Sequence, residues 1–154
     1  MSKIFFYILL GLLMIFIIIQ FLGPNRPSQR VENPADLIQV EQIDNDIADL
    51  LKAACYDCHS METKYPWYAN VAPIKWSIYD HVIEGRDELN FSEWANMEKR
   101  RKIRKLKEIG EEIEENKMPL DGYVSLHSEA DLTAEQKEML ISWSNELARK
   151  VLAE

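Results

Sequence analysis

QIDNDIADLLKAACYDCH, residues 42–59, is the stretch whose reading decides the fold. Ile43, Ile47, Leu50, Leu51 and Ala54 recur at intervals of three and four, the spacing of an amphipathic helix with one buried face. That helix runs directly into Cys55. If it continues, Cys58 falls at i+3 and His59 at i+4 from Cys55, so two thiols and an imidazole share a face. The chain has two cysteines and three histidines, and this one turn uses both cysteines and one histidine.

The chemistry of that trio is narrow. Two thiols so placed can each add to one vinyl group of a single haem while the imidazole reaches the iron, and C-x-x-C-H is the pattern of c-type attachment. Other uses fit less well. A thioredoxin-like C-x-x-C expects a βαβ setting that the sequence lacks. A structural zinc site takes four ligands, where three are clustered here. A plain disulfide has no need of His59.

Downstream of the trio, the pattern stays helical. A helix is predicted over 74–84, with Gly85 as a natural stop. Ser92 in NFSEW offers an N-cap, and residues 97–116 form a further helix with Ile103, Leu106, Ile109 and Ile113 on one face. Thr133 stands three residues before Gln136 in a capping-box arrangement, opening a last helix striped by Leu140, Trp143, Leu147 and Val151. The domain expected over residues 41–154 is therefore all-α.

Upstream, residues 4–22, IFFYILLGLLMIFIIIQFL, carry no charge and one strongly polar side chain, Gln20. That length suits one bilayer-spanning helix. No A-x-A-like cleavage pattern follows, so residues 1–23 read as an uncleaved transmembrane anchor rather than a signal peptide. Gly23, Pro24, Pro27, Ser28 and Pro34 make 24–40 a linker. Lys3 on one side against Arg26 and Arg30 on the other leaves orientation undecided by charge. Covalent haem decides it: bacteria attach haem outside the inner membrane, so the expectation is a single-pass inner-membrane protein with its domain on the periplasmic side.

A haem bound through His59 needs a second axial ligand or an open site. Met61 is too near the attachment point to reach the opposite face, and Met97, Met139 and His81 fall on predicted helices as packing residues. Met118 follows a helix and precedes Pro119, which biases it to an extended conformation. It is the leading candidate, with His127 behind it. Histidine with methionine raises the reduction potential, which suits electron transfer.

The motifs CYDCHS, YPWY, AP, EGR, LNFSEW, KMP, GY and LH together resemble the small haem-binding domain family of bacterial cytochrome c-like proteins, from about Asp44 to Trp143. The resemblance implies a small cytochrome c-like helical domain around one covalent haem c. Cys55 and Cys58 would be its thioether sites, His59 the proximal ligand and Met118 the distal one. It also implies an electron carrier with a redox protein partner. A peroxidase-like or ligand-sensing haem protein, or a haem-free thiol oxidoreductase, stays open beside it.

Two further features bear on partners. Tyr65, Trp67, Tyr68, Trp76, Tyr79 and Trp94, with Arg86, could donate to haem propionates, though packing is the simpler account for each. KRRKIRKLK, residues 99–107, is a basic run in a chain of formal net charge -8. It reads as a solvated face, or as a docking site for anionic lipid or an acidic redox partner. Anchor and acidity together argue against nucleic acid.

Overall fold

A computed structural model describes residues 3–30 and 32–153. Eight α-helices follow one another among them: α1 (Lys3–Ile19), α2 (Leu37–Glu41), α3 (Asn45–Ala54), α4 (Tyr56–His59), α5 (Ile74–Glu88), α6 (Lys99–Glu114), α7 (Asp121–Val124) and α8 (Ala134–Ala153). Short 3₁₀ turns at Trp67–Asn70, Phe91–Asn96 and Ser128–Ala130 fill the connections, and no described residue lies in a strand. The fold is all-α, as the periodicity predicts.

The core forms where α6 and α8 pack antiparallel. Gly110 of α6 sits against α8 so closely that a Cβ there would lie 3.2 Å from Ser144 Oγ, and Lys137 Nζ donates to Asn116 Oδ1 (2.8 Å) at the far end of the pair. Leu106 and Ile113 of α6 meet Leu140, Leu147 and Val151 of α8, and Leu51, Phe91, Trp94 and Leu37 complete the cluster. Each fully buried side chain of this size contributes about 1.5–3 kcal/mol. The capping box closes as expected, with Thr133 N–H donating to Gln136 Oε1 (2.8 Å) and Gln136 N–H to Thr133 Oγ1 (3.2 Å).

Several expectations need correction. The helix of the opening stretch stops at Ala54, because Cys55 departs from helical backbone (φ -128°, ψ -39°); α4 then restarts the turn. The next helix does not stop at Gly85 but runs on to Glu88. Ser92 caps nothing: Asn90 accepts from Ser92 N–H (3.0 Å), and the buried Ser92 hydroxyl instead accepts from Met61 N–H (2.8 Å). Met139 is exposed rather than packed, and Met97 follows a 3₁₀ turn instead of lying within a helix.

The stretch expected as a linker is packed onto the domain. Arg30 N–H donates to Met61 O (2.8 Å), Gln29 Nε2 donates to Thr63 O (2.5 Å), and the Arg26 guanidinium stacks 4.3 Å from the Tyr65 ring centre. Leu37 of α2 is fully buried in the core, and Asp36 caps α2 by accepting from Ile38 N–H (2.9 Å). Three prolines, with Gly23 just before them, signalled irregular backbone there, not freedom.

The transmembrane helix expected over 4–22 is also cut short. α1 has 17 residues, about 26 Å of helix against a hydrocarbon core of about 30 Å. Among the described residues, no helix is long and apolar enough to cross a membrane. The reason lies at its end: Gln20, Phe21 and Leu22 turn tightly through bonds to Ile17 O, Ile18 O and Ile19 O, and Gln20 Oε1 accepts from Ala72 N–H (2.8 Å). Lys75 Nζ donates to Gln20 O and Trp76 Nε1 to Leu22 O, so the start of α5 holds the end of α1.

Candidate functional site

Although α3 breaks at Cys55, the geometry of the trio survives. His59 N–H donates to Cys55 O (2.9 Å) and Cys58 N–H to the same carbonyl (3.2 Å), so Cys55, Cys58 and His59 stay within one turn. Asp57 supports that turn from outside. Its carboxylate accepts from Lys64 N–H (2.8 Å) and from the Tyr123 hydroxyl (2.8 Å), joining the turn to α7.

Helix α5 fixes the imidazole. His59 Nδ1 lies 2.8 Å from Gly85 O and 3.0 Å from Leu89 O. A carbonyl oxygen can only accept, so Nδ1 carries the proton and Nε2 is left with a free lone pair. Burial holds the imidazole pKa below its ordinary value, the nearby Lys105 cation acts the same way, and the two carbonyls oppose them. A neutral, oriented imidazole is what a metal takes.

Gly85 makes this approach possible. A Cβ at Gly85 would stand 2.8 Å from Cys58 O and 3.2 Å from Cys58 Cβ, so no larger residue admits α4 at this distance. Its value to the site is close backbone contact. A glycine inside an otherwise helical pattern was the available signal, since such a residue costs helix stability and needs a packing reason.

Met118 arrives from the end of α6. Asn116 adopts the left-handed conformation (φ 55°) that asparagine tolerates past a helix end, and Lys117 N–H and Met118 N–H both donate to Glu112 O (2.9 and 3.1 Å). The chain folds back over the helix end and brings the thioether to the cavity wall.

Two adjoining cavities hold these groups. One of about 330 Å³ is lined by Cys55, Cys58, His59, Met118, Gly85 and Tyr123. A second, of about 500 Å³, shares Cys55, His59 and Met118 with it and extends along Phe91, Ile109 and Ile113. Each lies in the size range of drug-sized ligand sites. A buried cation faces the second: Lys105 Nζ is held by Glu108 Oε2 (2.6 Å) and Glu88 Oε2 (3.2 Å).

His127 is placed elsewhere. It lines a third cavity of about 540 Å³ without His59 or Met118, its ring stacked 4.1 Å from Tyr123. Several of the aromatic and basic donors considered for propionates, among them Trp94, Tyr65 and Arg86, are spent on the protein itself. Trp94 Nε1 donates to Glu41 (2.8 Å), the Tyr65 hydroxyl to Pro27 O (3.3 Å), and Arg86 to Ser60 O (2.7 Å), Ser28 O (2.8 Å) and Thr63 Oγ1 (2.9 Å).

A sequence profile described as a haem-binding domain matches residues 14–146. The chain belongs to this haem-binding domain family. No curated protein and no solved structure matches it. The family match begins within α1, runs through the packed stretch before α2 and ends at residue 146, inside α8. The residues present fit a haem: two free thiols, an imidazole with its far nitrogen available and a thioether converge on one mostly apolar cavity. The buried Lys105 and its two glutamates, and the Gly85 and Leu89 carbonyls, are site features the sequence reading passed over.

Proposed function

We propose that this haem-binding protein is a membrane-attached monohaem cytochrome of the c type that passes electrons to or from a protein partner. The observation that carries the reading is the convergence of Cys55, Cys58, His59 and Met118 on one cavity, with His59 Nδ1 already committed to backbone carbonyls.

The roles follow from donor chemistry. Cys55 and Cys58 Sγ would hold the ring through thioether bonds, His59 Nε2 would be the proximal ligand, and Met118 Sδ the distal one. Bound haem supplies a one-electron iron couple, and a histidine–methionine pair places its potential high. The apolar walls formed by Phe91, Ile109 and Ile113 keep water from the ligands. The Gly85 and Leu89 carbonyls keep His59 in the ligating tautomer.

The thiol oxidoreductase reading is opposed by the same site. Burial pushes the Cys55 thiol up to about 12 and, with the Asp57 charge, the Cys58 thiol up to about 11. Redox-active C-x-x-C pairs need a lowered thiol.

Attachment to a bilayer belongs to the same proposal. Every described side chain of α1 from Lys3 to Phe16 is exposed, and the exposed set includes Ile4, Phe5, Leu9, Leu12, Leu13 and Phe16. Water does not favour so large an apolar surface. Lipid covers it, with the haem domain on the extracytoplasmic side where haem is attached.

The test is the visible spectrum of acid-denatured protein made alongside cytochrome c maturation machinery, after extraction of loose haem. Haem that stays with the chain and is lost from Cys55→Ala/Cys58→Ala is the expected result. A colourless chain beside a maturing control cytochrome overturns covalent attachment.

A further inference from the structure

Helix α6 carries its charge in two blocks. Seven of its first nine residues, Lys99 to Lys107, are Lys or Arg, and three of its last four are Glu. This opposes the helix dipole, which disfavours cations at the N-terminus. Stability does not account for the arrangement. Nor do neighbours neutralise it. Arg104 and Lys105 pair with Glu108 and Glu88, and Lys102 lies over the Trp94 ring. Lys99, Arg100, Arg101 and Lys107 are exposed and have no ion pair among the described residues. The antiparallel α8 brings exposed Arg149 to the same end of the pair.

The place of this cationic end chooses between lipid and protein. Arg101 Nη2 donates to Asp87 O (3.4 Å) and Lys105 pairs with Glu88, which ties the block to the C-terminal end of α5. The end of α1 is held at the opposite end of α5, by Lys75 and Trp76. α5 is 15 residues long, about 22 Å. That separation exceeds two Debye lengths at physiological salt, so headgroups at the level of the α1 end are screened from the block. The block also borders the cavity of His59 and Met118, through Lys105 and Glu108.

We propose that the basic end of α6 is the docking surface for an acidic redox protein. The orientation rests on the bilayer attachment proposed above. Around a chain of net charge -8, this end is where an acidic partner is drawn rather than repelled.

The test uses the full chain in phosphatidylcholine nanodiscs, with an acidic flavodoxin as probe and binding read by interferometry at low and physiological salt. The wild type is expected to bind at low salt and to weaken at least about tenfold at physiological salt. Arg100→Glu/Arg101→Glu/Lys107→Glu is expected to weaken low-salt binding at least about tenfold, while Glu111→Lys/Glu114→Lys/Glu138→Lys keeps or strengthens it. Circular dichroism confirms that both variants fold. Retained affinity in the first variant, or no binding by the wild type, overturns the proposal. Binding of phosphatidylglycerol vesicles by the wild-type discs, lost in the first variant and tighter than flavodoxin binding, gives the surface to lipid instead. Haem on the same discs is measured after denaturation, so a failure of covalent attachment is seen separately from a failure of docking.

Discussion

At the residue scale, the site depends on two positions of opposite character. Met118 is held by backbone bonds to Glu112 O and offers only a thioether to the cavity. Met118→Ala should therefore leave the fold and the haem content intact, shift the spectrum from six-coordinate to five-coordinate, and lower the reduction potential. An unchanged spectrum would show that another group ligates. Gly85 is the reverse case, required for what it lacks. In Gly85→Ala the new methyl meets Cys58 O, which is backbone and cannot turn aside. The expected loss is about 1–3 kcal/mol in denaturant unfolding, the range for overpacking. The carbonyl that holds His59 moves with it, so haem incorporation should fall too. An alanine that is silent in both measurements would mean that α4 and α5 tolerate a wider separation.

At the element scale, the segment before α2 behaves as a strap, and Arg86 is its clasp. One guanidinium reaches Ser60 O and Thr63 Oγ1 on the loop after α4 and Ser28 O on the strap. Arg86→Ala should destabilise by about 1–3 kcal/mol, typical for bonds from a charged donor. Faster hydrogen exchange at Arg30, whose N–H is bonded to Met61 O, is the local sign to look for. Asp36, which caps α2, shows the opposite tendency. Burial raises its pKa, against the hydroxyl of Tyr56 (2.8 Å) and the Ile38 N–H, and its Oδ2 has no partner. A carboxyl with a raised folded pKa favours folding most when protonated, so its contribution is full below the ordinary value of 3.8 and is lost as pH rises through the folded value. Asp36→Asn keeps both acceptor roles without the charge. It should melt higher than the wild type at neutral pH and at the same temperature near pH 3; a lower melting temperature at neutral pH would mean the charge is needed for the cap. These elements also mark the limits of reading the chain alone. The helices at α3, α6 and α8 were legible because each has a buried stripe of period 3.6 and, for α8, a capping box. That Cys55, Cys58 and His59 share one turn was legible because the three fall within five residues of sequence. The strap and the carbonyl contacts of Gly85 and Leu89 with His59 were not, because backbone carbonyls carry no residue identity and prolines mark irregularity whether or not it is packed.

At the scale of the whole molecule, the question is what α1 does for the rest. Its side chains are exposed through most of its length and add nothing to the core, while the turn that follows it, at Gln20–Leu22, is bonded to the start of α5. Those two facts separate the proposed bilayer attachment from folding. Leu9→Asp/Leu13→Asp places two charges on exposed positions of α1, where no packed neighbour is disturbed. In lipid each charge costs about 2.5–3.5 kcal/mol at the centre of a spanning helix, and less nearer the surface. The double variant should move from the membrane fraction to the soluble one while keeping its melting temperature and its haem. If it stays with membranes after an alkaline wash, attachment runs through another surface, and the placing of the basic end of α6 away from lipid loses its basis. If it leaves the membrane but also loses its fold, then α1 supports the domain as well as tethering it. The exposed face of α1 predicts the first behaviour: a side chain that touches nothing in the domain can be charged without cost to it.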